Sequence, residues 1–193
     1  MAGIVLAGGK SGRMGRDKAM LPWGDSTLLQ HVINIVREVT DHVIVVADSS
    51  HKYSLLSVKK VVGDEYPGVG PLAGIITGLN SVESGYHYVL ACDLPCINSE
   101  VLRMLMRSVA GYAAAVPCVG NRLEPLCAVY HKECVTHFIG ALELGADLSV
   151  HGALSSLNLN RVTESDLRTV DPDLRSFINL NTLEEYGRIN PCG

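Results

Sequence analysis

At 193 residues, 47% of them hydrophobic and 19% charged, the chain has the length and balance of a single globular domain, residues 1–193, able to bury a sizeable core. Its 16 Lys and Arg stand against 20 Asp and Glu, a formal net charge of −4; this excludes a general nucleic-acid binder, which needs a basic face for the phosphate backbone. No apolar run reaches membrane-spanning length and no leader-like pattern opens the chain, so a cytoplasmic protein is expected, with neither nucleic acid nor membrane as partner.

Taken in order, Ala2 to Ala7 is continuously apolar, as a strand covered on both faces should be. It runs directly into a glycine-rich stretch holding Gly8, Gly9, Gly12 and Gly15, interleaved with Lys10, Arg13, Arg16 and Lys18. Glycine enters φ > 0 conformations cheaply and lets a ligand approach the backbone, so such a turn can aim several N–H groups at one point. With added cations at the carboxyl end of a strand, the simplest ligand is a polyphosphate. The apolar positions 28, 29, 32, 33, 36 and 39 predict a helix over about 27–39, capped by Ser26. His42 to Ala47 and Val58 to Val62 read as strands, the second ending at Gly63-Asp64.

Tyr66 to Gly74 is a second glycine- and proline-rich turn; Pro71 suits the first turn of a helix reaching about Ser81. Tyr86 to Ala91 reads as a central strand that ends in Cys92-Asp93-Leu94-Pro95, and Ser99 as the cap of a helix to about Ser108. Ala113 to Pro117 and Pro125 to Tyr130 are strand-like, with Gly120-Asn121 as a hairpin turn between them. Helices are expected over about 133–144 and 148–157, a strand over 159–162, irregular polar chain over 163–175, and a last short strand over 177–180. Thr182 with Glu185 fits a capping box opening the final helix. Alternating strands and helices predict a three-layer α/β/α, Rossmann-like architecture, its sheet mostly parallel with an antiparallel element in the C-terminal half.

The six cysteines, Cys92, Cys96, Cys118, Cys127, Cys134 and Cys192, include no C-x-x-C pair and are expected to be reduced, mostly buried hydrophobes. Cys127, His131 and Cys134 could suggest zinc, but Cys127 falls in a strand that ends before the helix begins.

In a parallel sheet, ligands bind at the carboxyl ends of the strands. Four special segments fall at that edge: the first loop, Asp64, the Gly70–Gly74 turn and Asp93. A carboxylate closing an apolar strand is costly without a partner. Mg²⁺ is held by one or two carboxylates plus phosphate oxygens, so Asp93 reads as a metal ligand. Lys18 and Arg13 read as phosphate clamps; Lys10 and Arg16 read as solvated cations.

The loop is neither a P-loop, because Ile4 stands where its first glycine is needed, nor a dinucleotide fingerprint, because no G-x-G-x-x-G occurs. The pattern Leu6 to Lys18, L-A-G-G-x-S-x-R-M-G-x-D-K, instead resembles the signature of nucleotidyltransferases with the nucleotide-diphospho-sugar transferase fold. Within them it is most similar to the molybdenum cofactor guanylyltransferases of the MobA type. The resemblance spans nearly the whole chain and is strongest over 4–22, 63–75 and 90–97. It implies transfer of GMP from GTP to the phosphate of molybdopterin in the molybdenum cofactor, releasing pyrophosphate, with Mg²⁺ as cofactor. It further implies nucleotide binding by Leu6, Ala7, Gly8, Gly9, Lys18, Asp64, Gly74 and Asp93, catalytic roles for Arg13, Lys18 and Asp93, and metal binding by Asp93. Asn179 and Asn181, in a segment similar to the family's N-x-N-T-P-E, fall on the acceptor or metal side, with Leu183 in place of the proline. Some relatives carry a base-contacting Asn where this chain has Val46, with Asp48 two residues on. Transient contacts with other molybdenum cofactor biosynthesis and target proteins are implied by the family alone. A molybdopterin cytidylyltransferase, a sugar-1-phosphate nucleotidyltransferase and a non-catalytic nucleotide-binding adaptor are the rival readings.

Overall fold

The computed structural model describes residues 1–8, 17–51, 53, 56, 58, 60–145 and 148–189. Strand β1 (Gly3–Leu6) is buried along its whole length and sits in the middle of the sheet. Alternate side chains leave a strand on opposite faces: Val5 joins one core layer and Ile4 and Leu6 the other. A two-residue ladder, β2 (Pro22–Trp23) with β3 (Ser26–Thr27), follows, then α1 (Leu28–Arg37), β4 (Val43–Ala47), β5 (Lys60–Gly63), α2 (Pro71–Asn80), β6 (Tyr86–Ala91) and α3 (Ser99–Ser108). The second half runs β7 (Ala114–Val119), β8 (Arg122–Leu123), β9 (Cys127–His131), α4 (Cys134–Leu144), α5 (Val150–Leu154), β10 (Leu159–Thr163), α6 (Glu164–Leu167) and α7 (Leu183–Ile189).

The main sheet has the order β10-β7-β9-β6-β1-β4-β5, with β8 paired to β7. Strand β9 runs antiparallel to both β6 and β7, whereas β10, β7, β6, β1, β4 and β5 share one direction. Helices α1 and α3 pack Leu29, Val32, Ile33, Val36, Val101, Leu102 and Leu105 on one face. Helices α2, α4 and α5 pack the other, through residues such as Leu72, Ile75, Phe138 and Leu154. The expected three-layer α/β/α arrangement, with its antiparallel element in the C-terminal half, is therefore the one observed. Because β4 lies on one side of β1 and β6 on the other, the strand order reverses at β1, and a ligand crevice opens where such a reversal meets the carboxyl edge.

The differences from the sequence reading are local. Thr27, not Ser26, caps α1, its hydroxyl accepting from Gln30 N at 3.2 Å, while the Ser26 hydroxyl donates within the β2–β3 turn. Asn98, not Ser99, caps α3, accepting from Glu100 N at 2.9 Å; Ser99 donates to Glu38 instead, at 2.7 Å. Gly120-Asn121 is the tight turn of β7 with β8, both residues at positive φ (54° and 63°), the conformation a two-residue hairpin requires. The strand expected over 177–180 is absent. Arg175–Phe177 is a 3-10 turn, and Leu180 is an isolated anchor buried with Trp23 and Leu28. Within 163–175 the polar run contains α6, capped by the Thr163 hydroxyl. The helix expected over 148–157 is the shorter α5.

Candidate active site

The carboxyl ends of four parallel strands lie level, since Leu6 pairs with both Val46 and Ala91 and Ala47 pairs with Gly63. Onto that rim the chain delivers the two side chains singled out as a clamp and a metal ligand. Lys18 opens a 3-10 turn (Lys18–Met20), and its Nζ donates to Asp93 Oδ2 at 3.1 Å across 75 residues of sequence. Asp93 sits just past the end of β6, where its backbone carbonyl accepts from Leu180 N at 3.0 Å. Both side chains of the pair are mostly buried, at 17% and 24% exposure, so the charges are poorly screened by water.

Asp93 Oδ1 is buried and has no hydrogen-bond partner among the described residues. A buried carboxylate oxygen without a donor is costly; a cation with oxygen ligands, completed by phosphate, is the group it suits. No cluster of three His, Cys, Asp or Glu side chains with metal-holding geometry occurs among the described residues. Neighbouring Cys92 is pushed up to about 12 by burial, with the Asp93 carboxylate adding to the effect, so it stays a thiol and lacks thiolate reactivity at neutral pH.

The other predicted residues divide. Leu6, Ala7 and Gly8 lie at the rim. A Cβ on Gly8 would come within 3.0 Å of Asp48 Oδ1, so the Gly8 backbone lies close against the residue that follows β4. Gly9 and Arg13, with Lys10 and Arg16, lie outside the described residues. Asp64 follows β5 on the same rim. Its Oδ1 accepts from Tyr66 N at 3.0 Å and from the buried Thr77 hydroxyl at 3.3 Å, so that oxygen fixes the turn into α2. Gly74 directs its Cβ position at the Leu6 side chain, 3.4 Å away, which seats α2 against β1. The N-cap of α2 is Gly70 at φ 103°, with no side-chain cap. Asn179 and Asn181 flank Leu180 and are thereby held beside Asp93. The capping box is formed: Glu185 accepts from the N–H groups of Asn181 (2.6 Å) and Thr182 (2.9 Å), and the Thr182 hydroxyl accepts from Glu185 N at 3.1 Å.

Two residues at this rim carried no assignment from the sequence, Asp17 and Tyr53. The Asp17 carboxylate caps the 3-10 turn, accepting from Ala19 N at 3.2 Å, and the Tyr53 hydroxyl donates to Asp17 Oδ2 at 2.9 Å. The cap could have been read from an Asp preceding a short helical run; the tyrosine, 36 residues away, gave no signal. The suggested zinc ligands do not converge, because Cys127 faces one core layer and Cys134 the other. A cavity of about 490 Å³, lined by Tyr86, Tyr112, His131 and Cys134 among others, opens at the opposite edge of the sheet and holds none of the predicted site residues. Among the described residues no helix is long and apolar enough to cross a membrane.

Residues 3–156 match the family described as the MobA-like NTP transferase domain. A curated relative from Bacillus mycoides, named probable molybdenum cofactor guanylyltransferase, is 34% identical over 190 residues, covering 96% of this chain and 93% of its own length. A relative of the same name from Bacillus anthracis is 35% identical with the same coverage. Among solved structures, the molybdopterin-guanine dinucleotide biosynthesis protein A of Archaeoglobus fulgidus superposes with a TM-score of 0.85 at 27% identity, over 100% of this chain and 98% of that one. The 2-C-methyl-D-erythritol 4-phosphate cytidylyltransferase of Thermus thermophilus, at 14% identity and a TM-score of 0.67 over 94% of each chain, shares the fold.

Proposed function

The chain belongs to the MobA-like NTP transferase family and is a nucleotidyltransferase, and from that premise we propose that it transfers GMP from GTP to the terminal phosphate of molybdopterin in the molybdenum cofactor. The products are the guanine dinucleotide cofactor and pyrophosphate. The supporting observation is the Lys18–Asp93 pair: two residues far apart in sequence meet at 3.1 Å where the strand order reverses, and the second Asp93 oxygen is buried without a donor among the described residues.

In this reading no protein nucleophile intervenes. The acceptor phosphate attacks the α-phosphorus in line while pyrophosphate departs, so the chain's task is to position reactants and to oppose growing negative charge. The backbone of Leu6 to Gly9 holds the triphosphate, and Lys18 and Arg13 neutralise the leaving group. Asp64 lies toward guanine or ribose, Gly74 lets α2 close on the nucleotide end of the sheet, and Asn179 and Asn181 lie toward the acceptor. A divalent cation bound at Asp93, Mg²⁺ by its preference for carboxylate and phosphate oxygens, would supply Lewis-acid neutralisation of the triphosphate. Residues 1–193 act in this reading as one nucleotidyltransferase domain, with other molybdenum cofactor biosynthesis and target proteins as transient partners.

The test is incubation with magnesium, labelled GTP and molybdopterin, with parallel reactions supplying CTP or a sugar 1-phosphate. Formation of the guanine dinucleotide is expected. Product from CTP in preference to GTP, or only from the sugar phosphate, rejects the assignment.

A further inference from the structure

The sequence of contacts behind Lys18 carries a role for two residues outside the nucleotide-binding set. Tyr53 lies in the segment after β4, is 3% exposed, and packs in the core layer shared with α1 and α3. Its hydroxyl reaches the carboxyl end of β1, with Asp17 Oδ2 at 2.9 Å, Asp17 Oδ1 at 3.2 Å and the Ala7 carbonyl oxygen at 3.2 Å. A phenol has one proton to donate, and the shortest contact assigns it to the Asp17 carboxylate, a charge-assisted bond of the stronger kind. Asp17 in turn caps the turn that starts at Lys18, and Leu21 N closes that turn on the Lys18 carbonyl at 3.1 Å. Lys18 Nζ then meets Asp93. Four groups are thus linked in one line from the buried core to the rim.

We propose that Tyr53 and Asp17 are positioning residues for the transfer reaction: the buried hydroxyl fixes the Asp17 carboxylate, and this fixes the turn that aims the Lys18 ammonium at the phosphate site. The proposal rests on the guanylyltransferase reading for its kinetic consequence but not for its geometric one. A lysine is a long, flexible chain whose charge is useful only where it is held, and small misplacements of such a group are costly in rate. Tyr53 is suited to the brace because its ring is locked by packing, so its hydroxyl has little freedom to leave Asp17. Burial, and next the Asp17 carboxylate, raise its ionisation above the ordinary value of 10.0, so it remains a donor at neutral pH.

The test is a double-mutant cycle of Tyr53→Phe with Asp17→Ala, with Asp17→Asn as the conservative variant. Steady-state kinetics are combined with the rate at which Lys18 is acylated by an amine reagent, followed by mass spectrometry of its peptide. Tyr53→Phe should lower kcat about tenfold with the KM for GTP little changed, the effect of one hydrogen bond to a charged partner. In the Asp17→Ala background it should cost nothing further, because the hydroxyl acts through that carboxylate. Asp17→Asn should retain more activity than Asp17→Ala, and Lys18 should acylate faster in Tyr53→Phe than in the parent. Costs that multiply across the cycle, or acylation unchanged in Tyr53→Phe, overturn the brace. If the parent chain forms no guanine dinucleotide the functional reading fails, while the acylation rates still decide whether Tyr53 governs Lys18.

Discussion

The half of the sheet formed by β6, β1, β4 and β5 differs in construction from the half formed by β9, β7 and β10. In the first, parallel strands end level, β1, β5 and β6 are followed by loops carrying polar or glycine residues of the proposed site, and α2 is pressed hard on β1: a Cβ on Gly78 would lie 2.4 Å from Ile4 Cγ2. In the second, one strand is reversed, β8 adds only a two-residue hairpin, and Gly140 on α4 has no neighbour within 4 Å of its Cβ position. The distal core is as well buried, with Val116, Ala128, Tyr130 and Phe138 at 0% exposure, so what separates the halves is strand direction and the level rim, together with one helix seated backbone-close on its strand.

The sharpest break of this contrast is Asp93→Ala. On the proposed reading it removes the metal ligand and leaves Lys18 without its carboxylate, so turnover should fall by at least about 10³-fold, the scale on which charge-stabilising groups act in phosphoryl transfer. The thermal midpoint should fall only modestly, because loss of the half-buried Lys18 pairing is partly offset by relief of a buried Oδ1 that has no donor among the described residues. Near-normal turnover with magnesium present would remove Asp93 from the site.

The two halves also differ in how far the sequence revealed them. β1, β4 and β6 were legible because strands covered on both faces must be continuously apolar, and the rim segments because glycine, proline and single acids interrupt those runs. The distal strands β7 and β9 were legible as strands. The reading joined them through one hairpin at Gly120-Asn121, yet that turn serves β8, and β9 is placed between β7 and β6 by ladders of long sequence separation. Residues 177–180 misled for a similar reason. Phe177, Ile178 and Leu180 have the apolar content of a strand, but Leu180 gives its N–H to Asp93 and its side chain to Trp23, contacts that no local pattern records. The shifted caps at Thr27 and Asn98 are one-residue choices between neighbouring side chains that could each accept from the first turn, settled by what else each side chain can reach. Tyr53 was missed because its value lies in a contact across 36 residues, whereas the Asp17 cap is a local signal that the glycine-rich run beside it overshadowed.

Packing gives the next test. Gly78→Ala should destabilise: overpacking of about 1–3 kcal/mol, near the upper end for so close an approach, is offset by about 1 kcal/mol of better helix propensity. A net loss of about 1–2 kcal/mol corresponds to roughly 2–8 °C in the thermal midpoint for a chain of this size. Gly140→Ala should show the propensity gain alone and leave the midpoint unchanged or raised. Equal responses at the two positions, read by calorimetry, would show that the close approach of α2 to Ile4 imposes no packing constraint.

Asn181→Ala probes the acceptor side. The cap uses its backbone N–H, which is donated to Glu185, and not its side chain, which on the proposed reading serves the acceptor. Loss of one hydrogen bond predicts about a tenfold fall in kcat/KM for the acceptor, with the KM for GTP unaltered. A rise in the KM for GTP instead would move Asn181 to the nucleotide side.

The smallest effect is expected at the amino edge, far from the rim, where His87 ties β1 to β6. Its buried Nδ1 lies 3.1 Å from Ala2 N and its Nε2 is 2.9 Å from the Glu83 carbonyl oxygen. An N–H donor at the first and a carbonyl at the second define a neutral ring, accepting at Nδ1 and donating at Nε2. Burial lowers the His87 ionisation below the ordinary value of 6.5, and the nearby chain amino group and Lys132 act in the same direction. A depressed folded-state value means that the contribution to stability is fully present above 6.5 and is lost as pH falls through the lower value in the folded protein. Protonation also puts a second donor against Ala2 N. The thermal midpoint of the parent should therefore fall on acidification from pH 7 to 5, and that slope should be shallower in His87→Gln, whose amide carries the same charge throughout. Because this histidine sits at the opposite end of the strands from Lys18 and Asp93, kcat should track the folded fraction and no more; a pH-dependent kcat that His87→Gln abolishes in fully folded enzyme would couple the two edges of the sheet.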